Sequence, residues 1–488
     1  MPANTEQAIF ADDSLGAQRG SDGDATEDET RLAVAIVGGG IVGIILALGL
    51  VERGVRVAVY ERASDFHEIG AGFAFTGVAQ ECMKQLGPAV IASLRKVANE
   101  NLHATDNYWD GYHQSDDDED AASSTPASEE KTLLFRMSSA KMAWWSCLRS
   151  HFLDELAKAL PPGIVHFNKE LVSYDDSEDS NDSNKPVTLR FADETTAKCE
   201  VLIGCDGIRS RVRQQLLSTI DPQATRPSYT HKTCYRAVVP MAAAESALGP
   251  TKPHNHCMHQ GPGAHILSYP VAQHTLLNVV LFITDDGPWS GSGEEKEEDD
   301  GDVAVSRMTR PGRREDVVSR LEGWRPEVRA LVALIPEAPM TWGIFDTAEH
   351  PAPWYAQGRV CLAGDAAHAS SPHHGAGAGF GIEDALALAT GLGMAADAPV
   401  AGRKQAVVAA LSAFNDVRYE RTQWLVRSSR ETGDIYEWMY PGSGSDPVKL
   451  QAEIAARQKK IWDFDVTGMV EETRRRYHAR LEGHNSPE

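Results

Sequence analysis

An uncharged apolar run near the N-terminus is the feature that most limits what this chain can form. "AVAIVGGGIVGIILALGLV", Ala33 to Val51, spans 19 residues, a length close to that of a membrane span. Three consecutive glycines divide the run, with β-branched residues before them and a helix-forming sequence after them. Because buried parallel strands read as continuous apolar runs, the pattern favours a strand, a turn and a helix from about Ile41 to Arg53. A single-pass membrane anchor is the alternative.

The turn has the spacing of a dinucleotide-binding loop. Gly38, Gly40 and Gly43 lie in G-x-G-x-x-G register, and the next strand, "VRVAVYE", ends in Glu61. Glycines allow a tight turn and a close approach to a pyrophosphate, which the free N–H groups of the helix N-terminus attract. An acid at the end of the second strand can accept hydrogen bonds from ribose hydroxyls. The motif predicts an ADP-containing dinucleotide, NAD or FAD, and a glycine-rich packing turn is the alternative.

The negative charge of the chain is concentrated in a few polar stretches. The 488 residues carry a formal net charge of −23, and acids cluster in residues 1–30, 115–130, 175–184 and 291–302. Because such segments cannot bury apolar area, we expect a disordered tail and three disordered insertions with a solubilising role rather than a docking role. The sequence shows no basic stripe that would indicate a nucleic-acid partner.

The cysteines and the N-terminal sequence indicate the cellular compartment of the protein. The seven cysteines are scattered singly, without a CxxC pair, which fits a reducing compartment and no disulfide framework. The N-terminus shows no basic-then-apolar signal pattern. We therefore expect a cytoplasmic protein without a membrane span.

Two later segments narrow the choice of cofactor. "VLIGCDGIRSRVR" (Val201–Arg213) combines a strand, a Gly-Asp-Gly turn and a helix start. "GRVCLAGDAAHASSPHHGAGAGFGIEDA" (Gly358–Ala385) combines a strand, a Gly-Asp turn and a glycine-rich loop that leads into a helix. Together with the N-terminal turn, these segments resemble the three fingerprints of the single-component FAD-dependent aromatic hydroxylases, which include para-hydroxybenzoate and salicylate hydroxylases. The resemblance covers residues 31 to 440 and implies FAD as cofactor, with NAD(P)H and O2 as co-substrates.

Shorter strings narrow the resemblance within that family. "IGAGFAF", "HKTCYRAVV", "GPGAHILSYPV", "SPHHGAGA" and "IWDFD" resemble fungal polyketide hydroxylases that dearomatise resorcylaldehyde-type rings in the tropolone, sorbicillinoid and azaphilone pathways of secondary metabolism. Fungal salicylate hydroxylases share several of these strings. The resemblance implies hydroxylation of a phenolic ring through a C4a-hydroperoxyflavin, with a salicylate-type decarboxylative hydroxylase as the alternative.

The resemblance also assigns roles to residues at matching motif positions. Glu61 is expected to bind the adenosine ribose, and Ala74, in "GAGFAF", to lie beside the cofactor. Arg149, in "WWSCLRSHFLDEL", is expected to pair with the FAD phosphates, and an exposed surface arginine is the alternative.

The second and third fingerprints supply the remaining cofactor residues. Asp206 is expected in the turn that approaches both FAD and NAD(P)H, next to Cys205, where the family usually has alanine. Asp365 is expected to bind the ribityl chain, and Ala378 to lie against the flavin ring.

Two further residues are candidates for catalysis. A phenol is a better nucleophile as its phenolate, and a nearby cation stabilises that anion. Arg236, in "HKTCYRAVV", lies in a segment that alternates like a strand, and Tyr269, in "AHILSYPV", could hydrogen-bond the same phenolate oxygen. An outward-facing strand arginine and a core tyrosine are the alternatives. If the attacked ring carbon bears a methyl group, the ring cannot rearomatise and a dienone alcohol results.

The histidines of the third fingerprint invite a metal hypothesis. His373 and His374 are adjacent and lack the spacing of a metal site, so we expect no metal and leave a pocket-lining role open. His368 is expected to pack beneath the loop. Glu383 and Asp384 are expected in the early turns of the next helix, where acids suit the helix dipole.

The order of these motifs predicts an α/β fold. A Rossmann-like FAD-binding domain of the glutathione-reductase type is interleaved with a mixed-sheet substrate domain and followed by C-terminal helices. The predicted units are a disordered tail at 1–30, the FAD-binding domain at 31–225 and 345–400, the substrate domain at 226–344, and a helical extension at 401–488 with helices at 404–440 and 448–482.

The predicted partners are a small phenolic substrate, O2 and NAD(P)H, and a homodimer is left open. The enzyme hypothesis is weighed against two non-enzyme classes: a membrane-anchored protein and a flavin-binding regulator without turnover.

Overall fold

The structure, a computed structural model, describes residues 30–66, 72–100, 105–112, 132–138, 145–176, 185–289 and 308–484. The four acidic segments predicted to be disordered lie outside these ranges, apart from Thr30, Asp175 and Asp176. Asp175 ends a strand and pairs with Lys185 at 3.1 Å. Asp176 pairs with Arg359 at 2.5 Å.

The described residues form strands and helices throughout. The strands are β1 (Ala33–Val37), β2 (Arg56–Tyr60), β3 (Gly72–Phe75), β4 (Asn99–Glu100), β5 (Thr105–Asp110), β6 (Leu133–Ser138), β7 (Trp145–Leu148), β8 (Val165–His166), β9 (Leu171–Asp175), β10 (Val187–Phe191), β11 (Thr196–Cys199), β12 (Val201–Gly204), β13 (Ser228–Pro240), β14 (His256–Gly261), β15 (Ala264–Val271), β16 (Leu276–Thr284), β17 (Thr309–Pro311), β18 (Met340–Asp346), β19 (Ala356–Gln357) and β20 (Val360–Leu362). The α-helices are α1 (Ile41–Val51), α2 (Gly77–Leu86), α3 (Pro88–Val97), α4 (Arg149–Ala159), α5 (Arg211–Leu217), α6 (Met241–Leu248), α7 (Arg314–Arg320), α8 (Pro326–Val332), α9 (Asp365–His368), α10 (Gly377–Ala396), α11 (Arg403–Tyr436), α12 (Pro447–Trp462) and α13 (Val466–His484).

A six-stranded sheet contains the apolar N-terminal run. Its order is β19-β20-β12-β1-β2-β8, and every pairing except that of β19 with β20 is parallel. All five residues of β1 are buried, because the strand lies inside the sheet with both faces covered. The run is therefore a strand, a glycine turn and the helix α1. Within the described ranges, no helix is long and apolar enough to cross a membrane.

An eight-stranded mixed sheet forms the second layer. Its order is β17-β18-β13-β16-β15-β14-β5-β6. Alternate residues of its strands point to opposite faces. On one face, apolar side chains such as Ala237, Ile266 and Leu281 pack against helices α6, α7 and α8 in one buried cluster. The other face carries Arg236 and Tyr269 and is called the Arg236 face below.

The mixed sheet contains two strands, β5 and β6, that the predicted ranges assign to the FAD-binding domain. β5 pairs in parallel with β14, and β6 pairs with β5, so both extend the mixed sheet although they fall inside the range 31–225. Pairing with a strand that is distant in sequence decides this placement, and the local sequence pattern does not predict such pairing.

The C-terminal residues form three helices after α10. The long helix α11 is followed by α12 and α13, where the sequence pattern predicted one helix over 448–482. Asp465 explains the break, because its side chain accepts a hydrogen bond from Gly468 N at 2.9 Å. A side chain that satisfies a backbone N–H in this way begins a new helix.

Candidate functional site

The three glycine-containing turns meet at one edge of the parallel sheet. The register pairs Val37 with Gly204, and Gly204 with Leu362, so β1, β12 and β20 end side by side. A crevice at the carboxyl ends of parallel strands is the usual position of a nucleotide in such sheets. The three motifs, which lie far apart in sequence, therefore form a single cradle.

Glycine is required where the first turn touches the second. Gly38 has φ +108°, and a Cβ there would lie 2.3 Å from the carbonyl oxygen of Cys205. A Cβ on Gly43 would lie 2.1 Å from the carbonyl oxygen of Gly38. No side chain fits at either position, so the backbone stays open to a ligand above the N-terminus of α1.

A cation and two acids surround the start of α1. A Cβ built on Gly40, the residue before α1, would lie 3.7 Å from the guanidinium of Arg149. Burial lowers the pKa of Arg149, while the carboxylates of Asp365 and Glu61 act in the opposite direction. A partly desolvated arginine beside a helix N-terminus fits a pyrophosphate, and the structure does not support the surface alternative for Arg149.

Glu61 is placed at the end of β2 beside the first turn. Its Oε2 accepts a hydrogen bond from Gly39 N at 2.7 Å, and its Oε1 accepts one from Ala63 N at 2.9 Å. The half-buried carboxylate is therefore fixed next to the glycine turn.

Asp206 is engaged within its own turn. Its carboxylate accepts hydrogen bonds from Arg211 N at 2.6 Å and from Ser210 Oγ at 2.5 Å, so it holds the start of α5. A Cβ on Gly38 would lie 2.9 Å from the Cα of Asp206. The structure thus places Asp206 against the first turn, while its carboxylate is hydrogen-bonded to the first residues of α5.

Arg213 is a residue of this region that sequence reasoning did not single out. Its side chain is 1% exposed and donates to the carbonyl oxygens of Ala224 at 2.6 Å and Ala367 at 2.9 Å. It ties the second fingerprint to the third. Its only sequence signal was its place in a run of three arginines.

The third fingerprint carries Asp365 and Ala378 at the starts of two successive α-helices. Asp365 begins α9 and is exposed, and Ala378 lies half-buried in the first turn of α10. Gly364 has φ +59°, and its N–H donates to Asp384 Oδ2 at 3.0 Å. Ala74 lies in β3, also half-buried, and pairs with Ser146 of β7.

Glu383 and Asp384 lie early in a helix, as predicted, but the role expected for them was wrong. Helix α10 begins at Gly377, six and seven residues before these acids, and both are buried, at 1% and 0% exposure. Arg418 donates to Glu383 at 2.6 Å and to Asp384 at 2.8 Å. His368 Nε2 lies 2.5 Å from Asp384 Oδ2. Buried carboxylates need such partners, and the network holds the Gly364 turn rather than serving the helix dipole.

Arg236 and Tyr269 lie on the same face of the mixed sheet. Arg236 of β13 is opposite Val280 of β16, and Tyr269 of β15 is opposite Asn278 of β16. The parity of this register turns both side chains to one face. The two strands on either side of β16 therefore bring together residues that are 33 positions apart.

The Arg236 face is directed at the cofactor cradle. The Tyr269 hydroxyl lies so near Gly72 of β3 that a Cβ there would be 2.6 Å from it. The charge of Arg236 acts on the pKa of Arg149. Burial raises the pKa of Tyr269 while the positive charge of Arg236 opposes the rise, so the phenol of Tyr269 stays protonated as a hydrogen-bond donor.

The guanidinium of Arg236 lies beside Cys234, where its charge and hydrogen bonding oppose the rise that burial causes in the thiol pKa. It lies 5.2 Å from the ring centroid of Trp342, and its Nε is buried without a hydrogen-bond partner among the described residues. A half-buried cation without such a partner at Nε is suited to an anionic ligand.

His373 and His374 lie near different hydrogen-bonding partners. His374 Nε2 lies 2.9 Å from Ser428 Oγ, and burial lowers its pKa to about 3. His373 Nδ1 lies 3.3 Å from His265 Nε2, and His265 Nδ1 lies 3.0 Å from Glu437 Oε1. Within the described residues, no group of three or more His, Cys, Asp or Glu side chains could hold a metal ion.

The network behind His373 was not visible in the sequence. Lys232 Nζ lies 2.5 Å from Glu437 Oε2, although the two residues are 205 positions apart. Burial alone would raise the pKa of Glu437, but hydrogen bonding to His265 and the charge of Lys232 lower it to about 2. Burial also lowers the pKa of His373 well below its usual value, so this histidine is neutral.

Three glycine turns at the ends of adjacent parallel strands, with the Arg236 face beside them, form the type of crevice that binds a dinucleotide. A family model described as the FAD binding domain matches residues 31–426, so the chain belongs to that family.

Relatives and solved structures agree with the family. The FAD-dependent monooxygenase SAT7 of Stachybotrys chartarum is 62% identical over 480 residues, covering 98% of each chain. Salicylate hydroxylase asL1 of Sarocladium schorii is 44% identical over 473 residues, covering 93% of each chain. A solved salicylate hydroxylase–substrate complex matches with a TM-score of 0.73 at 29% identity, covering 91% of this chain and 98% of that one. The chain is an FAD-dependent monooxygenase, which confirms the predicted family, fold and cofactor.

Proposed function

We propose that this monooxygenase uses NAD(P)H and O2 to hydroxylate a phenolic ring, specifically by dearomatising a resorcylaldehyde-type fungal polyketide toward an azaphilone- or tropolone-like product. The observation that carries the proposal is the pair of Arg236 and Tyr269 on one sheet face opposite the FAD cradle. One oxygen atom of O2 enters the ring and the other leaves as water, while NAD(P)H and a proton supply the two reducing equivalents.

The protein residues make the ring a nucleophile. FAD, when bound, supplies the two-electron activation of O2 and the transfer of one oxygen atom. Arg236 stabilises the phenolate by charge, and Tyr269 donates a hydrogen bond to the same oxygen. Two contacts to one oxygen fix which ring carbon faces the flavin. Where that carbon bears a methyl group, the phenolate oxygen becomes a ketone and the new hydroxyl remains on a tetrahedral carbon.

The cofactor residues have separable roles in this proposal. Arg149 and the N-terminus of α1 hold the pyrophosphate, Glu61 holds the adenosine ribose, and Asp365 holds the ribityl chain. Ala74 and Ala378 flank the flavin ring. Because the carboxylate of Asp206 holds the start of α5, we assign it to shaping the turn at which FAD and NAD(P)H meet.

A salicylate-type decarboxylative hydroxylase is the second candidate, since a relative at 44% identity and a solved neighbour carry the name salicylate hydroxylase. A carboxylate on the ring calls for a second fixed cation. Two basic residues near the glycine turns are Arg209 and His373. Arg209 is exposed, and the charge of Arg62 acts on it. His373 is buried with a strongly lowered pKa, so neither supports a carboxylate site.

The cellular location, the domain boundaries and the oligomeric state are part of the same proposal. We propose a cytoplasmic enzyme that acts on a small molecule, with domain boundaries near those predicted from the sequence except that β5 and β6 join the mixed sheet. A homodimer is compatible with this function, which requires no second chain.

The test is incubation of the purified holoenzyme with NADPH or NADH, O2 and a panel that includes salicylate and alkylated resorcylaldehydes. Mass detection of a product that gains one oxygen atom from the aldehydes supports the proposal. Loss of carbon dioxide from salicylate would establish the second candidate. NAD(P)H oxidation that no phenol stimulates would exclude both.

A further inference from the structure

An exposed apolar strip lies beside Arg236. Val238 is two residues along β13 from Arg236, and Trp342 of β18 is opposite Cys234 of β13. Met340 is two residues from Trp342, and the same register places it beside Arg236. Because side chains alternate along a strand, Val238, Met340 and Trp342 share the Arg236 face. We call these three residues the apolar strip.

The strip holds three of the nine large apolar side chains that are exposed among the described residues. Val238, Met340 and Trp342 are 39%, 48% and 38% exposed. The neighbouring residues Ala237, Val239 and Thr341, which point to the opposite face, are buried at 8%, 3% and 1%. The difference follows from the helices that cover one face and leave this edge of the other face open.

Charge and apolar surface are combined at this place. The guanidinium of Arg236 lies over the Trp342 ring, and its Nε has no hydrogen-bond partner within the described residues. A ligand that satisfies both features has an anionic or strongly polar head and an apolar tail.

We infer that the apolar strip binds an aliphatic chain carried by the phenolic substrate, so that the enzyme selects alkylated phenols over small ones. This inference rests on the proposed function and specifies its substrate class. The ring oxygen contacts Arg236, and the chain extends across Trp342, Met340 and Val238. Three side chains are too small an area for a stable protein interface, which needs about 1,200 Å² or more, so a small-molecule chain is the occupant.

The experiment compares resorcylaldehydes whose alkyl substituent contains one, three or five carbons. The holoenzyme is studied as wild type, as the double variant Val238→Thr/Met340→Gln, and as Val448→Thr, a control at an exposed valine (76%) in α12. Equilibrium dialysis measures Kd for each phenol, and product formation measures KM and kcat.

In the wild type and in Val448→Thr, we expect Kd and KM to fall about two- to fourfold for each added methylene. In the double variant, we expect this dependence on chain length to flatten by at least half. Equal slopes in all three proteins, or no slope in the wild type, would overturn the inference. Binding that depends on chain length but leads to no oxygenation supports the strip and contradicts the proposed function, so the two failures are distinguishable.

Discussion

Arg236 occupies a position where a charge is costly unless a ligand uses it. Its guanidinium is half-buried between strands of the mixed sheet, with an indole on one side and a buried Nε without a hydrogen-bond partner in the described part of the chain. Removing a buried polar group from water without a hydrogen bond costs about 1–3 kcal/mol. The protein tolerates this cost at the place where the proposed phenolate would lie.

Arg236→Ala should separate oxygenation from cofactor reduction. The variant keeps FAD, because Arg236 does not line the glycine turns, but it loses the cation that stabilises the phenolate. We expect hydroxylation to fall about 100-fold or more, while NAD(P)H oxidation continues and yields hydrogen peroxide. Product analysis alongside peroxide detection measures both reactions. Arg236→Lys, which keeps the charge, should retain more activity, and an alanine variant with full hydroxylation would remove Arg236 from the mechanism.

Asp365→Ala tests the cofactor cradle at a residue that is exposed in the structure and free to contact a ligand. Loss of a charged hydrogen-bond acceptor should weaken FAD binding about 10- to 100-fold, so the purified variant should lack visible flavin absorbance. Asp193→Ala is the control, since Asp193 is an exposed acid whose partner is Lys169. Equal flavin content in both variants would contradict the role of Asp365.

Among helices, the decisive feature is the ion cluster that joins α9, α10 and α11. Arg418 is 0% exposed and reaches both Glu383 and Asp384, while Asp384 also contacts His368 and the N–H of Gly364. Burial opposes ionisation of Asp384, but His368 and Arg418 hold its pKa below the usual value. Three elements are thereby fixed around the turn that carries Asp365.

Asp384→Asn should destabilise the fold and weaken FAD binding together. Breaking a buried pair leaves an uncompensated charge and costs about 3–5 kcal/mol. Urea unfolding of the holoprotein and flavin titration measure the two effects. Asp416→Asn is the control, because Asp416 is an acid of α11 that pairs with Arg480 near the surface. This change should lower the free energy of unfolding by less than about 1 kcal/mol. Similar losses in both variants would contradict the special role of the cluster.

The elements themselves were largely accessible from the sequence. The strand, glycine turn and helix of Ala33–Val51 follow from local pattern, because glycine position and apolar continuity act over a few residues. The placement of β5 and β6 in the mixed sheet and the break at Asp465 were missed, since the first depends on pairing with β14 and the second on one side-chain cap.

At the scale of the whole molecule, buried histidines couple stability to pH. His259 is 1% exposed, and burial together with the charge of Lys252 lowers its pKa to about 3. In the unfolded chain a histidine titrates near pH 6.5. Between these values the unfolded chain binds a proton that the folded chain excludes, so the free energy of unfolding falls as the pH falls.

The free energy of unfolding should change by up to about 1.4 kcal/mol per pH unit for each such histidine between about pH 6.5 and 3. His259→Gln removes one titrating group, so the decline in unfolding free energy from pH 6.5 to pH 5 should be shallower than in the wild type. His478→Gln, at an exposed position of α13, should leave the decline unchanged. Urea unfolding at several pH values measures these slopes, and identical slopes for the His259 variant and the wild type would contradict the prediction.

The sequence by itself determined the cofactor class of this protein, because each fingerprint is a contiguous strand–turn–helix whose glycines and acids act on their neighbours. Only the tertiary structure decided how residues distant in sequence are brought together. Arg236 and Tyr269 lie on one sheet face because both of their strands pair with β16, and Lys232 reaches Glu437 across 205 positions. The same dependence explains why the role expected for Glu383 and Asp384 was wrong. Their place early in a helix was predicted, but their ionic partner Arg418 lies on α11, which the local pattern cannot specify.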